Sequence, residues 1–481
     1  MLSRIYNILP TFLQNLVVDI HKDIRLFIYF FTNRRKIKRC KDIDKTILAD
    51  FNKSRKYGPL NKICYAPYTS MFFSRSGLVS PCYASYNENS SHIKSSSIRD
   101  IWFEGSFNKI REQHKTCDLS KDCKFCKEIM DVGSYGSLLI NKYEHYAFSK
   151  SEYPVIMEFE LSNKCNLSCI MCDANLSSGI EKGLDGAITG NLHYHQKYFT
   201  ELREFIPHLQ LAEFTGGDPF MIDEYYQIWE MIAEINPNCH ILITTNANTM
   251  NSRIEKLLES HKHINFNISI DSLQKENYET IRRNGNFELA MANINIFINY
   301  CKQNRTQVNI LVCPMTVNWS EMPDFVNFAN EKQICVYYHT VVKPQELSLK
   351  FLEKVELNRI ISELENRSFS TKTKKEKTNN ENYKNLVGLI RSWMQDNNSA
   401  TISESVAMTD DQLILCLRQR IVYKFPTLLS KFESLLDRLN ISEEKTKILK
   451  RLVEINDKDF FENLENKSIE ELFYICINMV K

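Results

Sequence analysis

Cys165-Asn166-Leu167-Ser168-Cys169-Ile170-Met171-Cys172 spaces three cysteines three residues and then two residues apart. A loop this compact can aim three thiolates at one point. Three sulfurs do not close a tetrahedral zinc site, which takes four ligands. They suit three corners of a cubane [4Fe-4S] cluster, whose usual complement is four cysteines, and they leave one iron open to a small molecule. The competing reading of the spacing alone is a redox thiol pair or an incidental cluster of cysteines. The flanking sequence decides between them.

Outward from this loop the chain alternates regularly. Short β-type runs fall at 156–161, 211–215, 240–245, 264–270, 308–313 and 335–342. Helical patterns lie between them, at 198–209, 225–235, 254–261, 289–303 and 321–333. Six strands with intervening helices predict right-handed βαβ crossovers and a parallel sheet, so the fold class over residues 150–345 is α/β. In such sheets chemistry gathers at the carboxyl ends of the strands. The cysteine loop directly follows the first strand, as this requires.

Further motifs follow the later strands. The second leads into Thr215-Gly216-Gly217-Asp218-Pro219, and the third ends Thr244-Thr245-Asn246-Ala247. The fourth ends Ser269-Ile270-Asp271-Ser272 and is followed by Ile281-Arg282-Arg283; the fifth leads to Cys313-Pro314-Met315 and Asn318. Together with the loop, these motifs resemble those of the radical SAM superfamily, whose core is a partial (β/α)6 barrel. The resemblance implies that Cys165, Cys169 and Cys172 hold a [4Fe-4S] cluster with S-adenosylmethionine (SAM) at its open iron. It implies that Gly216, Gly217 and Asp218 meet the SAM amino group, with Asp218 standing where Glu is usual. Asn246 would line the same cavity, next to Ala247 in place of the usual Gly. Ser269 and Asp271 would bind the ribose, Arg282 the SAM carboxylate, and Asn318 the adenine and ribose edge. Met171, at a position often aromatic, would cover the adenine face with its flexible thioether. The implied chemistry is reductive cleavage of SAM to a 5′-deoxyadenosyl radical that abstracts hydrogen from substrate. Tyr337, Tyr338 and His339 end the sixth strand, where they read as core or rim rather than substrate contacts. Cys313 and Cys335 read as structural thiols rather than hydrogen-atom donors.

A second cysteine group precedes the core. Residues 61–130 contain Cys64-Tyr-Ala-Pro67, Gly77-Leu-Val-Ser-Pro-Cys82, Ser97-Ile-Arg-Asp-Ile-Trp102, Cys117 and Cys123-Lys-Phe-Cys126. Gly77 suits a tight hairpin that returns Cys82 toward Cys64. A two-residue gap lets Cys123 and Cys126 meet one metal. Cys64, Cys82, Cys123 and Cys126 can therefore ligate one site completely. The layout resembles the SPASM and twitch auxiliary-cluster modules of radical SAM enzymes. It departs from them in preceding the core, where such modules usually follow it, and in having five cysteines rather than seven. The resemblance implies one auxiliary [4Fe-4S] cluster, with Cys117 a spare or substitute ligand. A structural zinc on the same four thiolates is the alternative.

The 481 residues allow two or three domains, and 61 Lys plus Arg against 59 Asp plus Glu leave no basic footprint for nucleic acid. Eight of the 15 cysteines lie between Cys64 and Cys172, a distribution that points to metal binding in a reducing cytoplasm rather than to a disulfide scaffold. Residues 1–60 form an amphipathic helical segment in which Leu13, Leu16, Val17, Ile20, Ile24, Phe27, Ile28 and Phe31 share a face, followed by the basic run 34–39. This helix packs on the protein body or, through residues 12–39, lies peripherally on the anionic inner face of a membrane. Residues 346–481 read as a polar linker at 368–382 plus a helical C-terminal region; Cys416 and Cys476 read as buried thiols. The expected function is hydrogen abstraction from a peptide or protein, with electrons from a reductant such as flavodoxin or ferredoxin. A sugar-like small molecule is the alternative substrate, and a non-catalytic electron-transfer or scaffold protein is a third reading.

Overall fold

A computed structural model of the chain describes residues 40, 43–57, 60–85, 90–147, 149–181, 192, 194–396, 429–439, 445–454, 464 and 467–478. The expected apolar face at 13–31, the basic run, the membrane contact through 12–39 and Cys416 lie outside these residues. Among the described residues no helix is long and apolar enough to cross a membrane.

One nine-stranded sheet organises the larger of two compact units. Its strands are β1 (Ser70–Ser74), β2 (Leu78–Ser80), β3 (Ser91–His92), β4 (Ile156–Glu160), β6 (Leu211–Phe214), β7 (His240–Thr245), β8 (Ile264–Ser269), β10 (Val308–Val312) and β11 (Cys335–Tyr338). The spatial order is β11-β10-β8-β7-β6-β4-β1-β2-β3. From β4 to β11 every neighbouring pair is parallel and follows chain order. These are the six expected strands. With right-handed crossovers, a sheet wound in one direction carries its helices on one face.

The strand sequences match that arrangement. Along β8, Ile264, Phe266 and Ile268 are buried while Asn265, Asn267 and Ser269 are half-buried. Side chains alternate across a sheet, so the apolar set meets the helices and the polar set lines the other face. On the helix side Phe73, Phe159 and Phe214 stack in a row across β1, β4 and β6 at 5.4 and 5.0 Å. Trp229, from the helix Asp223–Ile235, closes edge-on over Phe214. Glu158 and Glu213 alternate with these rings and therefore face the other way.

The structure departs from the expected domain layout at β1. This strand belongs to the cysteine-rich stretch 61–130, yet it pairs in parallel with β4, with Ser70 opposite Ile156 and Ser74 opposite Glu160. The hairpin β1–β2, turned by Gly77 at φ +86°, thus extends the sheet of the core. The two regions expected as separate domains share one sheet and one compact unit. All five residues of β1 are buried, because neighbours cover both of its faces.

Residues 368–382 are a second departure. Instead of forming a linker, most of them belong to the helix Lys374–Asp396. Glu376 caps its start by accepting from Ser370 Oγ and the Lys372 N–H, each at 2.6 Å. Asn379, fully buried, accepts from the Val336 N–H at 3.0 Å and donates to the Ile334 carbonyl at 3.0 Å. Asn382 donates to the Val336 carbonyl at 2.8 Å. The asparagines that made the segment look like a linker satisfy the open edge of β11, which otherwise presents unpaired backbone groups. In the second unit the helices Leu429–Leu439 and Ile469–Asn478 lie against each other, and Cys476 is buried as expected.

Candidate functional site

The loop after β4 is held by backbone it cannot do without. A Cβ on Gly216 would sit 2.4 Å from the Ser162 carbonyl oxygen, and one on Gly217 would sit 2.1 Å from that of Lys164. Gly216 has φ +112°, a conformation that L side chains avoid. The two glycines therefore let the turn after β6 pack directly beneath the start of the cysteine loop. The far side of the loop is clamped by a short antiparallel ribbon: β5 (Ser168–Cys169) pairs with β9 (Arg282–Arg283), Cys169 opposite Arg282.

The three sulfurs face hydrogen-bond donors and one acceptor. Cys165 Sγ receives the Leu167 N–H at 3.4 Å and the Asn246 amide at 3.7 Å. Cys169 Sγ receives Arg282 Nη1 at 3.9 Å. The Cys172 thiol donates to the Asp173 carbonyl at 3.7 Å. Burial pushes all three thiols up, Cys169 to about 11, with the Arg282 charge opposing it there. Such thiols ionise when a cation takes the place of the proton. Arg282 Nε is buried without a partner, an orphaned donor beside the cysteine loop. The glycine cradle, the donors on the sulfurs and this orphaned N–H fit an iron–sulfur cluster carrying an anionic ligand.

Several expected SAM contacts have other partners. Asp218, fully buried, accepts from Thr245 Oγ1 and the Asn246 N–H at 2.8 Å each and from the Phe220 N–H at 3.1 Å. It joins the Gly-Gly turn to the corner after β7 and caps a short helical turn, rather than offering a free carboxylate to an ammonium. Asp271 pairs through Oδ2 with Arg282 Nη2 at 2.7 Å and accepts through Oδ1 from the Cys313 N–H at 2.8 Å. Asn318 donates to the carbonyls of Asp271 and Cys313 at 2.7 and 3.0 Å and accepts from the Met315 N–H at 2.7 Å, which commits both ends of its amide. Asn246 bridges Asn166 Oδ1, at 2.9 Å, and Cys165. Ala247 holds φ +58°, the left-handed conformation that makes glycine usual there. Ser269 and Met171 are half-buried near this end of the sheet. His339, just after β11, lies near enough to Asp271 to feel its charge, while Tyr338 donates to the Met322 carbonyl at 3.2 Å and Tyr337 is exposed.

The second cysteine group lines a pocket partly open to solvent. Cys64, Cys82, Cys123 and Cys126 all contribute to its wall; Cys117 does not. Cys117 instead meets the Cys40 side chain, a contact that lowers its thiol below the ordinary value. It turns the chain at φ +54°, after the helix Ser106–Lys115. The expected spare ligand is thus a turn residue paired with another thiol. Each of the four lining sulfurs has a polar neighbour. Cys64 receives the Ala66 N–H at 3.4 Å, Cys82 lies 3.5 Å from Ser85 Oγ, Cys123 lies 3.3 Å from His114 Nε2, and Cys126 meets the backbone of Leu139 and Ile140. Burial pushes these thiols up, Cys126 to about 12. Four thiols converging on one void, each beside a polar partner, fit a fully ligated cluster. Among the described residues no three Cys, His, Asp or Glu side chains converge tightly enough to hold a single metal ion.

The two cysteine groups sit at opposite ends of the sheet. Cys64 precedes the start of β1 and Cys165 follows the end of β4, and these strands run parallel in register. Five residues at about 3.3 Å each put the strand ends on the order of 15 Å apart. Between them, on the face away from the large helices, Lys142 bridges Glu158 at 2.8 Å and Glu213 at 2.6 Å. Tyr143, which also lines the cysteine cavity, donates to Glu158 Oε1 at 2.6 Å. Neither His114 nor this triad carried a spacing signal in the sequence, since each is assembled from distant segments.

Both cysteine groups fall within segments that match known families. Residues 159–329 match the family described as Radical SAM superfamily, and residues 64–127 match SPASM, described as an iron-sulfur cluster-binding domain. Curated relatives include the GTP 3′,8-cyclase of Clostridium botulinum (strain Hall), 23% identical over 182 residues, covering 38% of this chain and 54% of the relative. The GTP 3′,8-cyclase of Petrotoga mobilis is 25% identical over 198 residues, covering 40% and 57%. The chain spans about half the length of the curated relatives it matches. Among solved structures, Streptococcus suis SuiB bound to precursor peptide SuiA is 16% identical, with 51% of this chain and 60% of that one covered at a TM-score of 0.33. Native anSMEcpe with bound AdoMet is 17% identical, covering 43% and 57% at a TM-score of 0.32. Residues 159–329, which include Cys165, Cys169 and Cys172, are thus similar to a radical SAM domain, and residues 64–127, which include Cys64, Cys82, Cys123 and Cys126, to an SPASM iron-sulfur cluster-binding domain.

Proposed function

We propose that this chain is a radical SAM enzyme acting on a peptide or protein side chain, with one auxiliary [4Fe-4S] cluster. The observation that carries the reading is the placement of two cysteine sites at opposite ends of one sheet, with a polar face between them. Cys165, Cys169 and Cys172 would hold the first cluster; Cys64, Cys82, Cys123 and Cys126 would hold the second. Together, a reduced cluster and SAM supply homolytic cleavage of the sulfonium and hydrogen abstraction from substrate.

The protein's own residues bind and orient. The Gly216–Gly217 turn packs beneath the start of the cysteine loop, where backbone carbonyls, rather than Asp218, would meet an ammonium. The orphaned Arg282 Nε–H is a donor for the SAM carboxylate, while the rest of that guanidinium is fixed by Asp271 and Cys169. Glu158, Glu213 and Lys142 present charge where a polar substrate group would lie between the sites.

A second reading is a sugar-like or nucleotide-like small molecule. It is favoured by the names of the curated relatives, which are GTP 3′,8-cyclases. The reduced, anaerobically reconstituted chain is incubated with SAM and perdeuterated candidates of each kind. Deuterium carried from a peptide into 5′-deoxyadenosine supports the first reading. Deuterium carried only from a sugar or nucleotide replaces it with the second.

A further inference from the structure

The auxiliary cavity contains one imidazole. His114 ends the helix Ser106–Lys115, is 5% exposed, and points Nε2 at Cys123 Sγ from 3.3 Å. Its ring also lies against the backbone of Cys64, so it spans two of the four cysteine segments. Nδ1 is buried and makes no full hydrogen bond. A ligating thiolate has no proton to give, so the contact to Cys123 requires an N–H on Nε2.

The other sulfurs meet backbone or a hydroxyl: Ala66 N–H at Cys64, Ser85 Oγ at Cys82, and Leu139 and Ile140 at Cys126. His114 is the ring donor of the set, and a side-chain substitution can remove it. Outer hydrogen bonds orient metal ligands, and hydrogen bonds to cluster sulfurs help set the reduction potential. A donor draws charge from the sulfur. It therefore favours the more negative, reduced cluster and raises the potential.

We infer that His114 is a positioning residue of the auxiliary site: its Nε2–H holds the Cys123 sulfur in place and makes the bound cluster easier to reduce. The inference rests on the auxiliary-cluster reading of Proposed function. Its test uses the full chain with Cys165, Cys169 and Cys172 all replaced by Ala, which leaves auxiliary iron alone. Into this parent go His114→Phe, which removes the donor, and His114→Gln, whose amide can restore one. Each is reconstituted anaerobically, its iron counted, and its cluster titrated potentiometrically with EPR detection. The expected result is about four irons in each protein, a more negative potential in His114→Phe, and partial recovery in His114→Gln. An unchanged potential in His114→Phe with iron retained overturns the inference and spares the cluster reading. Absence of iron from the parent overturns the cluster reading itself. Should His114→Phe alone fail to load iron, His114→Gln decides: a more negative potential with iron retained supports the role, and an unchanged or more positive one overturns it.

Discussion

Arg282 and Asp271 meet at 2.7 Å with both side chains almost wholly withdrawn from water, and the same guanidinium reaches the sulfur of Cys169. The pair ties the strand opposite the cysteine loop to the end of the fourth core strand. It also fixes Arg282 so that one N–H is left over for a ligand.

Removing one partner leaves a buried charge alone, which costs about 3–5 kcal/mol. Arg282→Met should lose that much in anaerobic urea unfolding, and Asp271→Asn added to it should recover a large part. Equal destabilisation by the single and double variants would show that the two side chains do not compensate each other.

Gly217→Ala should strike the first cluster and spare the second, because its Cβ would meet the Lys164 carbonyl at 2.1 Å. Iron should fall from about eight to about four per chain, with the auxiliary EPR signal kept. Gly136→Ala, where nothing lies within 4 Å, should retain both.

Lys142, on the helix Ile140–Glu144, ties that helix to β4 and β6 through Glu158 and Glu213. Lys142→Met strands two neighbouring carboxylates and should cost about 3–5 kcal/mol. A double-mutant cycle with Glu213→Gln should show coupling of about 1–3 kcal/mol. Additive losses would mean that the two residues act independently.

His261 donates from Nε2 to the Trp229 carbonyl at 3.0 Å, and burial holds its ring below the ordinary value. The unfolded chain takes up a proton near pH 6.5 and the folded chain only at lower pH. Stability from this group is therefore complete above about pH 6.5 and lost as the pH falls through the folded value, by at most about 1.4 kcal/mol per pH unit. His261→Gln should flatten this part of the acid limb when unfolding at pH 7.5 and 5.5 is compared.

The six core strands were legible because each is a short apolar or alternating run bounded by turn residues, and their observed limits fall within a few residues of the expected ones. That Cys64, Cys82, Cys123 and Cys126 share one pocket was legible from spacing. The place of Cys117 was not, because what separates it from them is a left-handed turn that directs its thiol to Cys40. Asp218, Asp271 and Asn318 matched motif positions, but their polar atoms serve backbone and neighbouring side chains, which spacing does not reveal. The Asn379 helix was misread because asparagine counts as polar in a sequence, whereas here it is buried and completes an edge strand. The parallel pairing of β1 with β4 joins residues more than eighty positions apart, beyond the reach of any local pattern.

The most direct measurement is iron and SAM cleavage in three proteins: the full chain, the Cys165→Ala/Cys169→Ala/Cys172→Ala variant, and the Cys64→Ala/Cys82→Ala/Cys123→Ala/Cys126→Ala variant. About eight irons are expected in the first and about four in each of the others. Dithionite-dependent 5′-deoxyadenosine should appear with the full chain and vanish with the loss of Cys165, Cys169 and Cys172. Full iron content or continued SAM cleavage without those three cysteines would contradict the assignment of the SAM-bearing cluster to their loop.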